Sequence, residues 1–141
     1  MLAIGIDPGQ KRVGVAVCDD DGVIAMPRAA IVLRSPREIG ARVAAFATEI
    51  HAERVVMGLP IDMSGKEGLA AKKSRALAND LRAQGLVVVL WDERASSVAA
   101  NRDLARMGKN AKQARALVDS TAACLLLQSW LDAGPRARGG L

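Results

Sequence analysis

Aromatic side chains are scarce in this 141-residue chain, which contains one Phe, two Trp and no Tyr. Proteins that hold single-stranded nucleic acid by base stacking depend on such rings, so a stacking platform is not expected. His51 is the single histidine, and a Ser–His–Asp triad or a structural zinc site would have to depend on it. Its position at a predicted helix end indicates a surface or capping role instead.

Long apolar runs and cysteine clusters are also missing. No run approaches the roughly 20 residues of a membrane span, and the first residues are typical of a strand, so we expect no signal peptide. Cys18 and Cys124 have no metal ligands at useful spacing and are interpreted as reduced packing residues. The chain is 50% hydrophobic and 25% charged, which predicts one globular domain over residues 1–134 and a disordered tail over residues 135–141.

Positive charge is present in excess, with a formal net charge of +5 and a pI of about 9.8. Such a balance favours a polyanionic partner, and nucleic acid is the commonest one. Because stacking is not expected, contacts should run mainly through phosphates. The sequence shows no long apolar face that would dictate a dimer, so we expect a monomer or a weak dimer.

The pattern of apolar residues predicts an α/β protein. Alternation and short apolar runs predict five strands, at residues 2–6, 12–18, 23–32, 54–60 and 86–91. Helical spacing predicts four helices, at residues 35–50, 69–84, 96–108 and 112–132. Ser35, Pro36 and Glu38 form a capping-box pattern at the start of the first helix. The order β-β-β-α-β-α-β-α-α predicts an antiparallel meander followed by parallel strands.

Acidic residues stand at the ends of two predicted strands and inside an apolar helix. Asp7 ends the first strand, and Asp92 and Glu93 end the fifth, where ligands collect in open α/β sheets. Asp119 shares a helix face with residues expected to be buried, and a carboxylate there is costly unless paired or metal-bound. These companions are Ala122, Ala123, Leu126 and Trp130. Small alanines let this helix approach the sheet, so that Asp119 reaches the same rim.

Converging carboxylates repel one another, and a divalent cation relieves that repulsion. Oxygen-only ligands suit Mg²⁺ or Mn²⁺, and two such ions support phosphodiester cleavage without histidine. Structural alternatives stay open for each acid. Asp7 would anchor its turn, Asp92 would bind nearby backbone or Arg94, Glu93 would pair with Arg94 or Arg12, and Asp119 would pair with a buried arginine.

Four ordered motifs carry a family resemblance that covers about residues 2–132. GIDPGQKRVGVAV, VVMGLPIDMSGKEG, WDERASS and VDSTAACLLLQSWLD together resemble the YqgF family. Its members are Holliday-junction-resolvase-like proteins, also described as pre-16S rRNA nucleases, with an RNase H-like fold. The resemblance implies a five-stranded mixed sheet of order 3-2-1-4-5, with helices on its faces and strand 2 antiparallel to the others.

The resemblance also implies a catalytic and metal-binding site at Asp7, Glu93 and Asp119, holding Mg²⁺ or Mn²⁺. It implies a cytoplasmic nuclease that matures the 5′ end of 16S rRNA, with structured RNA as its partner. Candidates for phosphate contacts are Lys11, Arg12, Arg94, Lys109, Lys112 and Arg115. The segment before VD usually carries more Lys and Arg in this family than KNAKQARALVD does, which implies weaker substrate affinity unless other arginines, such as Arg94, Arg102 and Arg106, share the task.

Other functions remain open at this point. The resemblance also permits a Holliday junction resolvase that cuts branched DNA, which would usually act as a two-fold dimer. A nucleic-acid-binding assembly factor with a weak active site is a non-enzymatic alternative. An actin-like ATPase also begins with a motif like IDPG, but that fold needs a second lobe for which this chain is too short.

Overall fold

A five-stranded mixed sheet forms the centre of the molecule. A computed structural model describes residues 2–95 and 111–134, with side chains for residues 2–94 and 120–134. The strands are β1 (Ala3–Pro8), β2 (Arg12–Cys18), β3 (Ala25–Val32), β4 (Arg54–Leu59) and β5 (Val87–Asp92). They lie in the order β3-β2-β1-β4-β5, and β2 runs in the direction opposite to the other four. The predicted sheet order and direction are confirmed.

Helices cover both faces of this sheet. The helical elements are a 3₁₀ turn (Pro36–Glu38), α1 (Ile39–Glu49), α2 (Leu69–Ala83), a second 3₁₀ turn (Glu93–Ala95) and α3 (Ala111–Asp132). Side chains alternate between the two faces of each strand. Ile4 and Ile6 therefore pack with α1 and α2, while Ala3 and Val56 pack with α3. No helix within the described ranges combines the length and apolarity needed to cross a bilayer.

The last helix lies unusually close to the central strand because Gly5 has no side chain. A Cβ atom at Gly5 would stand 2.8 Å from the Ala123 carbonyl oxygen and 2.8 Å from the Leu127 Cβ. Ala122, Ala123, Leu126 and Trp130 are all buried, so the apolar face predicted for this helix is confirmed.

Hydrogen bonds to β3 fix the direction of α3. The Ser120 hydroxyl donates to the Arg28 carbonyl at 2.6 Å, and the Gln128 side-chain oxygen accepts from the Ala25 backbone amide at 2.8 Å. Contacts thus move back along β3 as the helix proceeds. Because β3 is parallel to β1, α3 runs antiparallel to β1, and its early turns lie towards the carboxyl end of β1.

The bounds of the first and third strands differ from the predictions for local reasons. The first strand extends to Pro8, so Asp7 is its penultimate residue, because Asp7 and Pro8 still pair with Gly14 and Val13. The third strand begins at Ala25 rather than residue 23. The Asp19 carboxylate accepts hydrogen bonds from the backbone amides of Val23 and Ile24 and holds those residues in the turn.

The start of the first helix is also different in detail. Ser35 caps it, but a 3₁₀ turn precedes α1, so its hydroxyl accepts from the Arg37 amide at 3.3 Å. Glu38 correspondingly accepts from the Arg34 amide at 3.0 Å, one residue earlier than a capping box requires.

The surface or capping role predicted for His51 and the packing roles predicted for the two cysteines agree with the structure. His51 is exposed just after α1 with a φ of 57°, a left-handed position that ends helices. Cys18 is buried and Cys124 half-buried, and both are free thiols. The predicted helix at residues 96–108 and the predicted tail at residues 135–141 lie outside the described residues.

Candidate active site

A cleft of about 800 Å³ opens at the carboxyl end of the parallel strands, and Asp7 and Glu93 both line it. Asp7 comes from the end of β1, and Glu93 from the 3₁₀ turn that follows β5. Both side chains are half-buried. Two of the three predicted catalytic acids, 86 positions apart in the chain (93 − 7), therefore share one cavity.

Gly58 makes room for the Glu93 carboxylate between these two strands. Gly58 pairs with Trp91 of β5, and its neighbour Met57 pairs with Ile6, the residue before Asp7. A Cβ atom at Gly58 would lie 2.6 Å from Glu93 Cγ and 2.8 Å from Glu93 Cδ. The Glu93 side chain thus lies over the bare backbone of β4, beside the end of β1.

Asp92 has a structural role that the sequence left open. Its two carboxylate oxygens accept hydrogen bonds from Arg94 Nε at 3.0 Å and from Arg94 Nη2 at 2.6 Å. Its Oδ1 atom also accepts from the Arg94 backbone amide at 2.9 Å. These bonds to the Arg94 guanidinium hold the pKa of Asp92 below its ordinary value. The pairing fixes the turn that presents Glu93.

Arg94 also ties the site to the loop that follows β4. Its Nη1 atom donates to the Asp62 carbonyl at 3.3 Å. Asp62 Oδ1 accepts from the Ser64 hydroxyl at 2.6 Å and from the Lys66 amide at 2.9 Å, which lowers the pKa of Asp62. The Glu67 carboxylate binds both Arg75 Nε and Arg75 Nη2 at 2.6 Å. The loop between β4 and α2 is therefore held by hydrogen bonds within it and by Arg75 of α2.

Asp119, the third predicted acid, belongs to α3, and its side chain lies outside the described part. Its backbone stands four residues before Ala123, which is about 6 Å towards the carboxyl end of β1. Asp7 lies two residues beyond Gly5, also about 6 to 7 Å in that direction. Since Ala123 sits over Gly5, the backbone of Asp119 is level with Asp7 along the sheet.

The predicted phosphate-binding residues differ in exposure, in ion pairing and in how much of each the structure describes. Lys11 is exposed in the turn that closes β1 and β2, and Arg12 is half-buried at the start of β2. Arg94 is engaged with Asp92, with its side chain 42% exposed. Lys112 and Arg115 belong to α3, but their side chains lie outside the described part, and Lys109 lies wholly outside it.

Two residues of the site were missed by the sequence reasoning. Gly58 interrupts a buried apolar strand, which signals a close approach of another group. Lys73 lines the cleft from α2, together with Ala70, Ser74 and Leu77. Their spacing of three, four and seven residues marks one face of a helix, and the faces of this predicted helix were not assigned.

The described acids of the cleft, Asp7 and Glu93, suit a hard divalent cation. Asp7 and Glu93 offer only carboxylate oxygens, the ligand type that Mg²⁺ and Mn²⁺ prefer. Among the side chains of residues 2–94 and 120–134, no three acids, histidines or cysteines gather as a cation site. A third ligand from position 119 would complete the set.

Solved nuclease structures share this architecture. A structure of T. thermophilus RuvC in complex with a Holliday junction substrate matches with a TM-score of 0.60 at 21% identity, covering 95% of this chain and 96% of the other. The Fowlpox virus resolvase with Holliday junction DNA matches with a TM-score of 0.56 at 14% identity, covering 94% and 98%. The fold is therefore that of the RuvC-like resolvases, an RNase H-like fold.

Sequence comparison narrows this class to a family. The model of the RuvX family, described as Holliday junction resolvase, matches residues 1–133. A Myxococcus xanthus protein named "Putative pre-16S rRNA nuclease" is 40% identical over 134 residues, covering 94% of this chain and 89% of the relative. An Anaeromyxobacter protein of the same name is 39% identical over 133 residues, covering 94% and 97%. The chain belongs to the RuvX family, and the resemblance seen in its motifs is confirmed.

Proposed function

We propose that this protein is a divalent-metal-dependent endonuclease that cuts structured RNA, with the 5′ end of precursor 16S rRNA in the cytoplasm as its target. The observation that carries the proposal is the cleft shared by Asp7 and Glu93 at the carboxyl edge of a resolvase-like sheet. Relatives that carry the pre-16S rRNA nuclease name support the choice of RNA. The backbone of Asp119 in α3 is level with Asp7 along the sheet, which supports Asp119 as the third acid.

The chemistry follows from the residues of the cleft. Asp7, Glu93 and Asp119 would hold Mg²⁺ or Mn²⁺, and the bound metal would supply an activated water and stabilise the leaving oxygen. Asp92 and Arg94 keep the turn of Glu93 in place, and Gly58 gives its carboxylate room over β4. Lys11, in the turn before β2, and Arg12, at the start of β2, would orient the phosphate backbone of the substrate by charge.

Cleavage assays with Asp7→Asn test this proposal. We expect the wild type to cut a labelled precursor rRNA fragment with Mg²⁺ or Mn²⁺, and Asp7→Asn to cut at least about 100-fold more slowly, because several kcal/mol of charge stabilisation is lost. Asp21→Asn is the matched control, since this exposed acid lies in the β2–β3 turn at the opposite edge of the sheet. A wild type that binds RNA but cuts none with either metal would refute the enzyme and favour an assembly factor.

Branched DNA is a second candidate substrate, because both solved neighbours hold Holliday junctions. The same assay with a labelled four-way DNA junction separates the two candidates. Faster cutting of the junction than of the RNA, abolished by Asp7→Asn, would establish the resolvase. Such cutting requires paired sites, so it would be accompanied by dimerisation in sedimentation measurements.

A further inference from the structure

One stripe of α2 faces the candidate active site. Ala70, Lys73, Ser74 and Leu77 line the cleft, while Asp7 and Glu93 line it from the strand ends. Lys73 is the one cation among the described residues of this lining. It is exposed, so its ammonium group is available to a ligand that enters the cleft.

The neighbouring cations on α2 do not share this position. Arg75 is held by both oxygens of Glu67 at 2.6 Å. Lys72 is exposed and precedes Lys73, but it lies a 100° helical step away and does not line the cleft. The helix therefore directs one lysine to the site and another of equal charge elsewhere.

The remaining walls of the cleft are apolar or weakly polar. Pro36, Ile39 and Pro60 contribute apolar surface, and the Gln10 amide and Ser74 hydroxyl contribute hydrogen-bonding groups. A volume of about 800 Å³ lies within the range of about 300–1,000 Å³ for pockets that enclose small ligands. A cation beside apolar walls suits a phosphate joined to a sugar and base, held by shape and not by ring stacking.

We propose that this cleft binds one unpaired nucleotide of the cut strand, directly beside the scissile phosphate, and that Lys73 binds the phosphate of that nucleotide. The inference rests on the proposed function, which places the scissile phosphate at Asp7 and Glu93. A base that is stacked and paired in a duplex cannot enter such a cavity without being extruded. The site therefore selects nucleic acid that is single-stranded next to the cut.

Matched lysine variants test this assignment. Lys73→Ala and Lys72→Ala remove the same charge from adjacent positions of one helix. For cleavage of a strand that is unpaired around the cut, we expect Lys73→Ala to raise KM about three- to tenfold with kcat little changed. Lys72→Ala should change KM less than twofold, and Lys73→Arg should restore most of the loss.

Binding measurements separate this inference from the proposed function. In the Asp7→Asn background, anisotropy titrations at several salt concentrations should show the slope of log K against log salt falling by about 0.7 with Lys73→Ala. Annealing a full complement to the strand should abolish the difference between Lys73→Ala and Lys72→Ala.

The outcomes are distinct. Equal losses for Lys73→Ala and Lys72→Ala, or a preference of the wild type for the fully paired strand, would overturn the inference while leaving the nuclease intact. If the wild type cuts nothing but Lys73→Ala alone weakens binding of the unpaired strand, the nucleotide site stands and the nuclease proposal fails.

Discussion

Glu93 occupies space that any side chain at position 58 would fill. A Cβ atom there would come within 2.6 Å of Glu93 Cγ, well inside ordinary van der Waals contact. Glycine costs a strand about 0.5–1 kcal/mol relative to alanine, so its presence in a buried strand indicates a functional reason. The reason that the structure supports is the position of one carboxylate.

Gly58→Ala should therefore separate activity from stability. We expect cleavage to fall about 100-fold, since a displacement of about 1 Å in a catalytic group has effects of that size. The free energy of unfolding should not fall, because alanine is the better strand residue. Steady-state cleavage and urea denaturation measure the two quantities.

Two further variants make this prediction specific. Gly68→Ala is the control, because a Cβ at Gly68 meets nothing within 4 Å, and it should cut like the wild type. Adding Glu93→Asp to Gly58→Ala shortens the acid by one methylene and should recover part of the activity. Wild-type activity in Gly58→Ala would show that the space over β4 has no catalytic importance.

The sequence indicated the two acids of the cleft but not the residues that surround them. Asp7 and Glu93 were visible because strand ends are marked by local apolar runs. The contact of Glu93 with Gly58 depends on the register between β4 and β5 and on a side-chain rotamer, which no local pattern encodes. The role of Asp92 remained ambiguous for the same reason. Its two-oxygen ion pair with the Arg94 guanidinium forms only in the geometry of the 3₁₀ turn.

At the scale of elements, α3 packs closely against the central strand β1 at Gly5. The helix approaches Gly5 so closely that added atoms would meet its backbone at the Ala123 carbonyl. A backbone atom in a buried helix cannot move aside as the end of a side chain can. The distance between this helix and the sheet thus depends on a single glycine.

Gly5→Ala should destabilise the fold by about 1–3 kcal/mol, the usual cost of overpacking. Urea denaturation followed by circular dichroism measures the loss relative to the wild type. The added methyl group should also push α3 away from β1 and displace Asp119, the proposed third acid. Cleavage should therefore fall together with stability. Unchanged stability would mean that α3 packs less closely than described.

The elements themselves were largely predictable. The five strands and α2 were recognisable from apolar runs and from Gly85, which has a φ of 92° and ends α2. The 3₁₀ start of α1 was not, because Ser35, Pro36 and Glu38 suit a capping box equally well. Strand order came from the family resemblance, since alternation along the chain does not say which strands pair.

At the scale of the whole molecule, several carboxylates are held ionised by the fold. The pKa values of Asp19, Asp62, Glu67 and Asp92 are all lowered, through hydrogen bonds from backbone amides, a serine hydroxyl and arginines. A lowered pKa in the folded state means that the unfolded chain binds protons more readily in acid. Their stabilisation is complete above the ordinary values of 3.8 for Asp and 4.5 for Glu and is lost as pH falls below them.

We therefore expect the free energy of unfolding to be level from about pH 7 to pH 5.5 and to fall steadily between about pH 4.5 and pH 2.5. Urea denaturation across this range measures the curve. Asp92→Asn removes one of the contributing acids, so its curve should be shallower than that of the wild type. A wild-type curve that rises on acidification would contradict the assignment of these hydrogen bonds.

The order of the elements along the chain has a consequence for biosynthesis. The central strand β1 is made first, and its covering helix α3 comes more than 100 residues later, as in the bond between Ala25 and Gln128, 103 positions apart. Until that helix is synthesised, the face of the sheet that contains Ala3 and Val56 remains exposed to water. Contacts so distant in sequence form slowly, and a nascent chain that stops short of α3 would carry Asp7 and Glu93 without Asp119, the proposed third acid.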